Sequence, residues 1–388
     1  MRILHLSDLH LGKSPFKKDI SAVQRSISEI IADTVKNNDI GAVLVSGDIY
    51  DTATSTAAAN VLWDELARSL IVDCGVPVCV ISGNHDGAER LSVCSDILKA
   101  CGLHIRGRLE GFDEPVSAGN ADIYMLPFFE KGHAESYFRK DLASLSAAYE
   151  EITEIIRGKM DRTRCNIIMA HCFAAGGVPS KSETSAGLMF PENEIAAVGT
   201  LSAVSADVFR GFDYAALGHI HKPQTLKCAD EHTIVRYCGT ALKYSFSEEN
   251  QEKTFSIYDT DSRTLETIPI PELLKFRVVR GSYEEVRAKA SEYDGTELVR
   301  IELTDGDSTV TASRIREMYP NAMQVVAGVG RKLPEMRKSD ISDEDIAQMN
   351  IPDLAAKYVR EFYGAELTEA QLGWLNDAIK ESESDDTP

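Results

Sequence analysis

The chain has 388 residues, room for two domains and a tail. Hydrophobic residues make up 43% and charged residues 26%, an ordinary globular balance, and no apolar run approaches the roughly 20 residues that a membrane span needs. A net charge of −20 argues against a protein that binds nucleic acid through a broad basic surface, because phosphate contacts come from Lys and Arg.

The charge is uneven. Residues 339–388 hold 13 acidic against 3 basic side chains, half of the net charge, and read as a solvated acidic end. A phosphate-handling chain with this balance would need local positive potential, such as bound metal. The opening MRILHLSD is unlike a signal peptide, because its apolar stretch is short and holds His5 and Asp8; the expectation is a cytoplasmic protein with no membrane association. The 8 cysteines include no CxxC pair and read as reduced thiols. Cys172 reads as packing, since neighbours on an extended segment point apart.

Residues 2–7, 41–46 and 76–81 are short runs rich in Val, Ile and Leu that end in polar or Gly-containing segments, and predict buried strands. Helix-like stretches at 19–37 and 55–71 alternate with them. That alternation predicts an α/β layered domain with its functional loops at the strand ends. Further strands are predicted at 122–126, 165–170, 213–217, 233–238 and 253–259, with a long helix over 134–159. A second, small α/β unit begins at 274: strand 276–280, helix 283–293 closed by Gly295, strand 297–303, helix 309–319 and strand 322–327. The charged, irregular residues 331–345 read as a linker. Ile351, Leu354, Ala355, Tyr358, Val359 and Phe362 then form one apolar stripe stopped by Gly364. Thr368 and Gln371 cap a second helix carrying Leu372, Leu375 and Ile379. The pair predicts a helical hairpin over 346–380, and residues 381–388 a disordered tail.

Four motifs stand at predicted strand ends: Asp8-Leu-His10, Gly47-Asp48-Ile-Tyr-Asp51, Gly83-Asn84-His85-Asp86 and Gly218-His219-Ile-His221. His171 ends a fifth strand. A lone DxH or HxH is usually a surface turn, but five of the nine histidines fall in this set, which decides against that reading. Imidazole with carboxylate suits manganese, iron or zinc. Residues two apart on an extended loop reach the same side; the glycine before Asp48 permits a sharp turn. One Asp has two oxygens and can bridge two ions. Two ions about 3.5–4 Å apart can clamp a phosphate for in-line attack. Two divalent cations outweigh Asp8 and Asp48, so the site would be net positive inside an acidic protein. Asn84 and His85 are neighbours and cannot easily face one ion. Asn84 therefore reads as a ligand through its amide oxygen, and His85 as general acid or transition-state stabiliser. Asp51 is the best candidate to hold the His85 proton. Lys13, Lys17, Lys18, Arg90 and Lys243 lie near the motifs as candidate phosphate contacts, although solvation is the commoner role for any one of them.

This set of motifs, over residues 2–222, resembles the signature of the calcineurin-like metallophosphoesterase family. The resemblance implies a layered α/β fold, a β-sandwich flanked by helices, over residues 1–273. It implies two divalent ions, manganese first, with iron or magnesium as alternatives. Asp8, His10, Asp48 and His221 would hold one; Asp48, Asn84, His171 and His219 would hold the other. In the wider family the second Asp of G-D-x-x-D pairs with the G-N-H histidine, which agrees with Asp51 and His85.

A narrower resemblance is carried by MRILHLSDLHLGK, GDIYDTATS, DYAALGHIHKPQ and YCGTALKYSFSEENQEKTF. It is to the nuclease subunits of the SbcC–SbcD family, with Ala241 where that family usually has Pro. It implies 3′-to-5′ exonuclease and hairpin endonuclease activity on duplex DNA in repair, recombination and replication. It also implies a DNA-capping role for 274–330 and a hairpin at 346–380 that grips an SbcC-like ATPase; packing of that hairpin on its own body is an equal alternative. A homodimer within a heterotetramer is implied through helices near 55–71 and 88–100, with Val61, Leu62, Leu91, Val93 and Ile97 either at its surface or in the core. The competing readings are a phosphoesterase acting on a phosphoprotein or nucleotide, and a non-catalytic scaffold. The scaffold fares worst because every ligand and His85 are present. The small-substrate enzyme needs neither the added α/β unit nor the hairpin.

Overall fold

A computed structural model describes residues 1–176, 203–305, 312–327, 351–363, 367–368 and 371–373. In chain order, β1 (Arg2–Leu6), α1 (Ser21–Asn37), β2 (Ile40–Ser46), α2 (Ala57–Arg68), β3 (Val78–Ile81), α3 (Ala88–Leu91), α4 (Ser95–Leu98) and β4 (Leu103–Arg106) build one half of a sandwich. The other half comprises β5 (Val116–Ala118), β6 (Ala121–Leu126), α5 (Lys131–Phe138), α6 (Leu145–Lys159), β7 (Cys165–His171), β8 (Tyr214–Gly218), β9 (Gln224–Leu226) and β10 (Ile234–Tyr237). The chain then returns to the first sheet as β11 (Thr254–Asp259) and β12 (Thr264–Pro269). The strand orders are β12-β11-β1-β2-β3-β4 and β5-β6-β7-β8-β10-β9. Neighbours among β1–β4 run parallel, as do β6, β7, β8 and β10 in the second sheet.

The alternation of side chains along each strand sets three layers of core. Ile3, Ala42, Leu44 and Ile81 face the second sheet, where Ile123, Met125, Ile167 and Met169 meet them. Their neighbours Leu4, Val43 and Val45 face outward onto Ile27 and Ile31 of α1 and Leu62 and Leu66 of α2. On the far side, Ile168, Ala170 and Leu217 lie under Tyr149, Ile152 and Ile156 of α6. Burying a large aliphatic side chain of this kind contributes about 1.5–3 kcal/mol. All eight cysteines are free, and Cys172 is buried in the α6 layer.

The strands expected from apolar runs are present. The single helix expected over 134–159 is two, because Arg139 adopts φ 55 and closes α5, and the Ser144 side chain then accepts from the Ala147 N–H to start α6. The helix near 88–100 is broken into α3 and α4 at Cys94, which has φ 60. In the second unit, β13 (Phe276–Gly281), β14 (Leu298–Leu303) and β15 (Ala322–Ala327) form a parallel sheet in that order. Helices Tyr283–Lys289 and Ala312–Met318 cover it through Val286, Ile315 and the buried Tyr319. Phe276 instead packs against Phe246 and Phe16, with ring centroids 5.2 and 6.4 Å away, and joins this unit to the first core. Helix Ile351–Tyr363 follows, and the Thr368 and Gln371 side chains make the reciprocal capping bonds. The expected linker, the rest of the second helix and the tail lie outside the described residues.

Candidate metal centre

The motif residues sit at or just after the C-terminal ends of β1, β2, β3, β7 and β8. Strands of both sheets therefore feed one end of the sandwich, the end at which parallel α/β layers present their loops. Four of the expected ligands leave the strands in left-handed or otherwise positive-φ conformations: Asp8 (φ 53), His10 (φ 44), Asp48 (φ 52) and His219 (φ 107). Each such residue costs of order 1–3 kcal/mol and persists only where its surroundings fix it. Here the Asp8 N–H donates to Gly47 O at 2.9 Å and the His10 N–H to Asp48 O at 3.0 Å, which locks the first two loops together. Two further loops, one after β3 of the same sheet and one at the end of β8 in the other, need equally close approach. A Cβ on Gly218 would lie 1.9 Å from Ser46 O, and one on Gly83 2.1 Å from Asp48 Oδ1.

Asp8, His10, Asp48, His171 and His221 are buried; Asp51, His85 and His219 are half-buried; Asn84 is exposed. Asp8, His10 and His221 offer one cluster of donor atoms, Asp8, Asp48 and His171 a second, and His10, Asp51 and His85 a third, each within a 4.8 Å span. Asp48 Oδ2 lies 3.9 Å from His10 Nε2 and 3.4 Å from His171 Nε2. His10 Nε2 and His221 Nε2 are 3.1 Å apart, and His171 Nε2 and His219 Nδ1 are each 3.0 Å from Asn84 Oδ1.

This donor set fits divalent cations. Two imidazole nitrogens pointing at each other repel unless a proton or a cation lies between them. His171 Nδ1 donates to the Ser46 carbonyl at 2.8 Å, which leaves Nε2 as the ligand atom of the neutral ring. Burial would lower the His171 pKa, but the Asp48 charge and hydrogen bond, with Asp8, raise it to about 9. Burial and the nearby His171 lower His219 to about 4. Burial opposes ionisation of Asp48, yet His171, His10 and His85 hold its carboxyl well below the usual range.

Two expectations need correction. The Asp51 carboxylate does not take the His85 ring: Oδ1 is 2.6 Å from Lys13 Nζ and 3.4 Å from His10 Nδ1. His85 Nδ1 instead meets the Asp51 main-chain carbonyl at 2.8 Å. Burial raises the Asp51 carboxyl, but His10 and Lys13 outweigh it and bring it to about 2. Lys243 is buried, and its ammonium is committed to the exposed Glu272 carboxylate and the Glu249 carbonyl rather than offered to solvent as a phosphate contact. Arg90 and Lys17 are exposed and Lys18 is half-buried.

Several residues that hold the site in shape are not among the expected ligands or catalytic groups. The buried Asp86 carboxylate accepts from the N–H groups of Ile49, Tyr50 and Gly83 and so ties two ligand loops together. Gln24 donates to His10 O at 2.9 Å, and Tyr244 to Leu9 O at 2.6 Å. Buried Glu248 approaches His221 Nδ1 to 3.6 Å and pairs with Lys253 at 2.7 Å. A polar residue inside the apolar face of α1 is a readable signal for Gln24. Glu248 and Lys253 lie inside the segment that carries the narrower resemblance.

The calcineurin-like phosphoesterase family matches residues 1–223. The SbcD subunit of the SbcCD nuclease of Staphylococcus epidermidis is 30% identical over 329 residues, which cover 83% of this chain and 84% of that one. Its namesake in Staphylococcus saprophyticus is 28% identical, covering 74% and 73%. A dimetal phosphatase from Danio rerio superposes with a TM-score of 0.40 at 13% identity, covering 66% of this chain and 91% of that one. The chain thus belongs to the calcineurin-like phosphoesterase family, in its SbcD nuclease branch.

Proposed function

We propose that this SbcD-type nuclease hydrolyses DNA phosphodiesters with two divalent ions, manganese in the first place. Asp8, His10, Asp48 and His221 hold one ion; Asp48, Asn84, His171 and His219 hold the other. The observation that carries this reading is the placement of the buried Asp48 Oδ2, 3.9 Å from His10 and 3.4 Å from His171, within reach of both halves. When bound, such ions neutralise phosphate charge and activate water as a nucleophile. The protein supplies the rest. The exposed Asn84 and half-buried His219 and His85 form the open side over which a phosphate enters. The His85 N–H holds Asp48 Oδ1 at 2.9 Å, while its ring, fixed through Nδ1 to Asp51 O, presents Nε2 to protonate the leaving oxygen. Asp51 acts one step back, neutralising Lys13 and facing His10 Nδ1.

The nuclease domain takes residues 1–273, and 274–330 cap the DNA. The segment 346–380 binds an SbcC-like ATPase, with 331–345 as the linker. The chain works as a homodimer in a heterotetramer, in the cytoplasm, as a 3′-to-5′ exonuclease and hairpin endonuclease in DNA repair, recombination and replication. The relatives named as the SbcD subunits of SbcCD nucleases support this reading. The test gives the manganese-loaded full chain linear duplex DNA, hairpin DNA and bis(p-nitrophenyl) phosphate. Cutting of both DNAs, with 3′-end loss from the duplex, is expected. Hydrolysis of the aryl ester alone, even with the ATPase added, would overturn it.

A further inference from the structure

Beside the open edge of the metal centre lies a cavity of about 580 Å³, lined by Asn84, Arg108, Phe128, His133 and Tyr137 among others. It is continuous with the centre through Asn84, whose amide oxygen faces His171 and His219. The volume falls inside the roughly 300–1,000 Å³ typical of clefts that take one small ligand. Its wall is aromatic where it meets the centre. The half-buried Phe128 ring stands edge-on to His171 with centroids 6.3 Å apart. Tyr137, on α5, is 41% exposed, and its ring is braced edge-on by Phe112 and Phe138 at 5.8 and 5.1 Å. A large aromatic ring held this firmly while facing solvent is prepared for a flat partner.

The charges on the wall say which part of a nucleotide fits. Glu89 and Glu110 line the cavity, and Arg108 already donates to Glu89 at 2.7 Å. A phosphate placed there would meet carboxylates and no uncommitted guanidinium. A nucleobase carries no charge, and every base has a π-face that stacks on an aromatic ring regardless of sequence. The phosphodiester then stays over the cations and the base turns toward α5.

We infer that this cavity is a nucleobase subsite, in which an unpaired base next to the scissile phosphate stacks on Tyr137, with Phe128 closing the metal side. The inference rests on the DNA-hydrolysing reading above. It makes the enzyme a strand-fraying nuclease: the base leaves its duplex partner before its phosphate is cut, without a sequence requirement.

The test compares the manganese-loaded full chain with Tyr137→Ala and Tyr137→Phe on end-labelled duplex DNA. A single abasic residue is moved stepwise from the end to remove the base, and bis(p-nitrophenyl) phosphate reports whether the centre hydrolyses a phosphodiester at all. Tyr137→Ala should lower kcat/KM on DNA roughly 5- to 150-fold, the range for loss of one base–aromatic stack. Manganese binding should be unchanged, and Tyr137→Phe should restore DNA cutting. The parent enzyme should lose a similar factor when the abasic residue occupies one register, and Tyr137→Ala should be indifferent to it. Equal DNA cutting by Tyr137→Ala and the parent overturns the subsite alone, as does an abasic penalty that survives in the variant. A parent enzyme that hydrolyses the aryl ester but cuts no DNA overturns the proposed function and the subsite with it.

Discussion

The Lys253 ammonium donates to the main-chain carbonyl of His221 at 2.9 Å. The same ammonium pairs with Glu248 Oε2 at 2.7 Å and donates to Thr240 Oγ1 at 2.8 Å, and the other Glu248 oxygen lies 3.6 Å from the His221 ring. An expected ligand is thus held at both its backbone and its imidazole by one buried ion pair, with Lys253 and Glu248 side chains 4% and 0% exposed. Burial would raise the Glu248 carboxyl, but His221 and Lys253 bring it down to about 2. Its contribution is therefore complete above the ordinary value of 4.5 and is lost as pH falls toward about 2. Glu248→Gln leaves a buried cation unpaired and should cost about 3–5 kcal/mol in urea unfolding of the metal-free protein. Glu248→Gln combined with Lys253→Met should recover much of that. In the folded double variant, calorimetry should show one of two ions bound about 10- to 100-fold more weakly. Unchanged affinity for both ions would leave the pair a purely structural one.

Asp48→Ala should remove more than any other single ligand, because both halves of the centre converge on its Oδ2. We expect manganese titration to show neither high-affinity ion and both DNA and aryl ester hydrolysis to vanish. His85→Ala is the contrast. Its ring belongs to none of the ligand sets proposed here, so two ions should still bind while kcat on DNA drops by about 10²–10⁴, as for loss of a general acid. Two ions retained by Asp48→Ala, or undiminished turnover by His85→Ala, would reverse the roles given to these residues.

His5 gives a pH dependence away from the centre. It is fully buried, with Nδ1 2.8 Å from the Tyr214 hydroxyl. Burial, and then the Arg236 charge, lower its pKa from 6.5 to about 3. The unfolded chain therefore binds a proton that the folded one refuses between those values. The neutral ring's contribution is complete above 6.5, and stability falls by about 1.4 kcal/mol per pH unit below it, down to about 3. His5→Gln cannot titrate. The difference in unfolding free energy between the two proteins, plotted from pH 7.5 to 4.5, should slope by this amount. Parallel curves would show that the ring takes up its proton without unfolding.

The parts of this architecture legible in the sequence are those where one physical signal dominates. β2 reads as a strand because residues 41–45 are apolar on both faces, one toward the second sheet and one toward α1 and α2. The ligand set reads because imidazole and carboxylate recur at strand ends. β12 escapes notice because it is an edge strand in which only Leu265 and Ile268 are partly shielded from solvent. The breaks at Arg139 and Cys94 escape because nothing about Arg or Cys announces a positive φ. The partner of the Asp51 carboxylate escapes for a different reason. Lys13 and His85 are both plausible from the motifs, and only the packing of the β1 and β2 loops decides for Lys13. Glu248 and Lys253, five apart in a polar loop, look solvated until the fold closes over them.

The hydrophobic residues considered for a dimer surface divide cleanly. Leu62 and Leu91 are 2% and 7% exposed and belong to the core beneath α2. Val61, Val93 and Ile97 are 50%, 63% and 72% exposed, on α2, at the α3–α4 break and on α4. Under the proposed homodimer, these exposed aliphatics are the ones that a second copy would cover. A charge on the patch should act on association alone: Val93→Glu with Ile97→Glu should convert a dimer to a monomer in light scattering without lowering the unfolding temperature. Leu62→Glu should instead unfold the chain, because a carboxylate placed among Val43, Ile31 and Leu66 has no partner there. Its loss of structure should be visible by circular dichroism at any protein concentration. A parent protein that is already monomeric at tens of micromolar, or a double variant that stays dimeric, would move the interface away from α2 and α4.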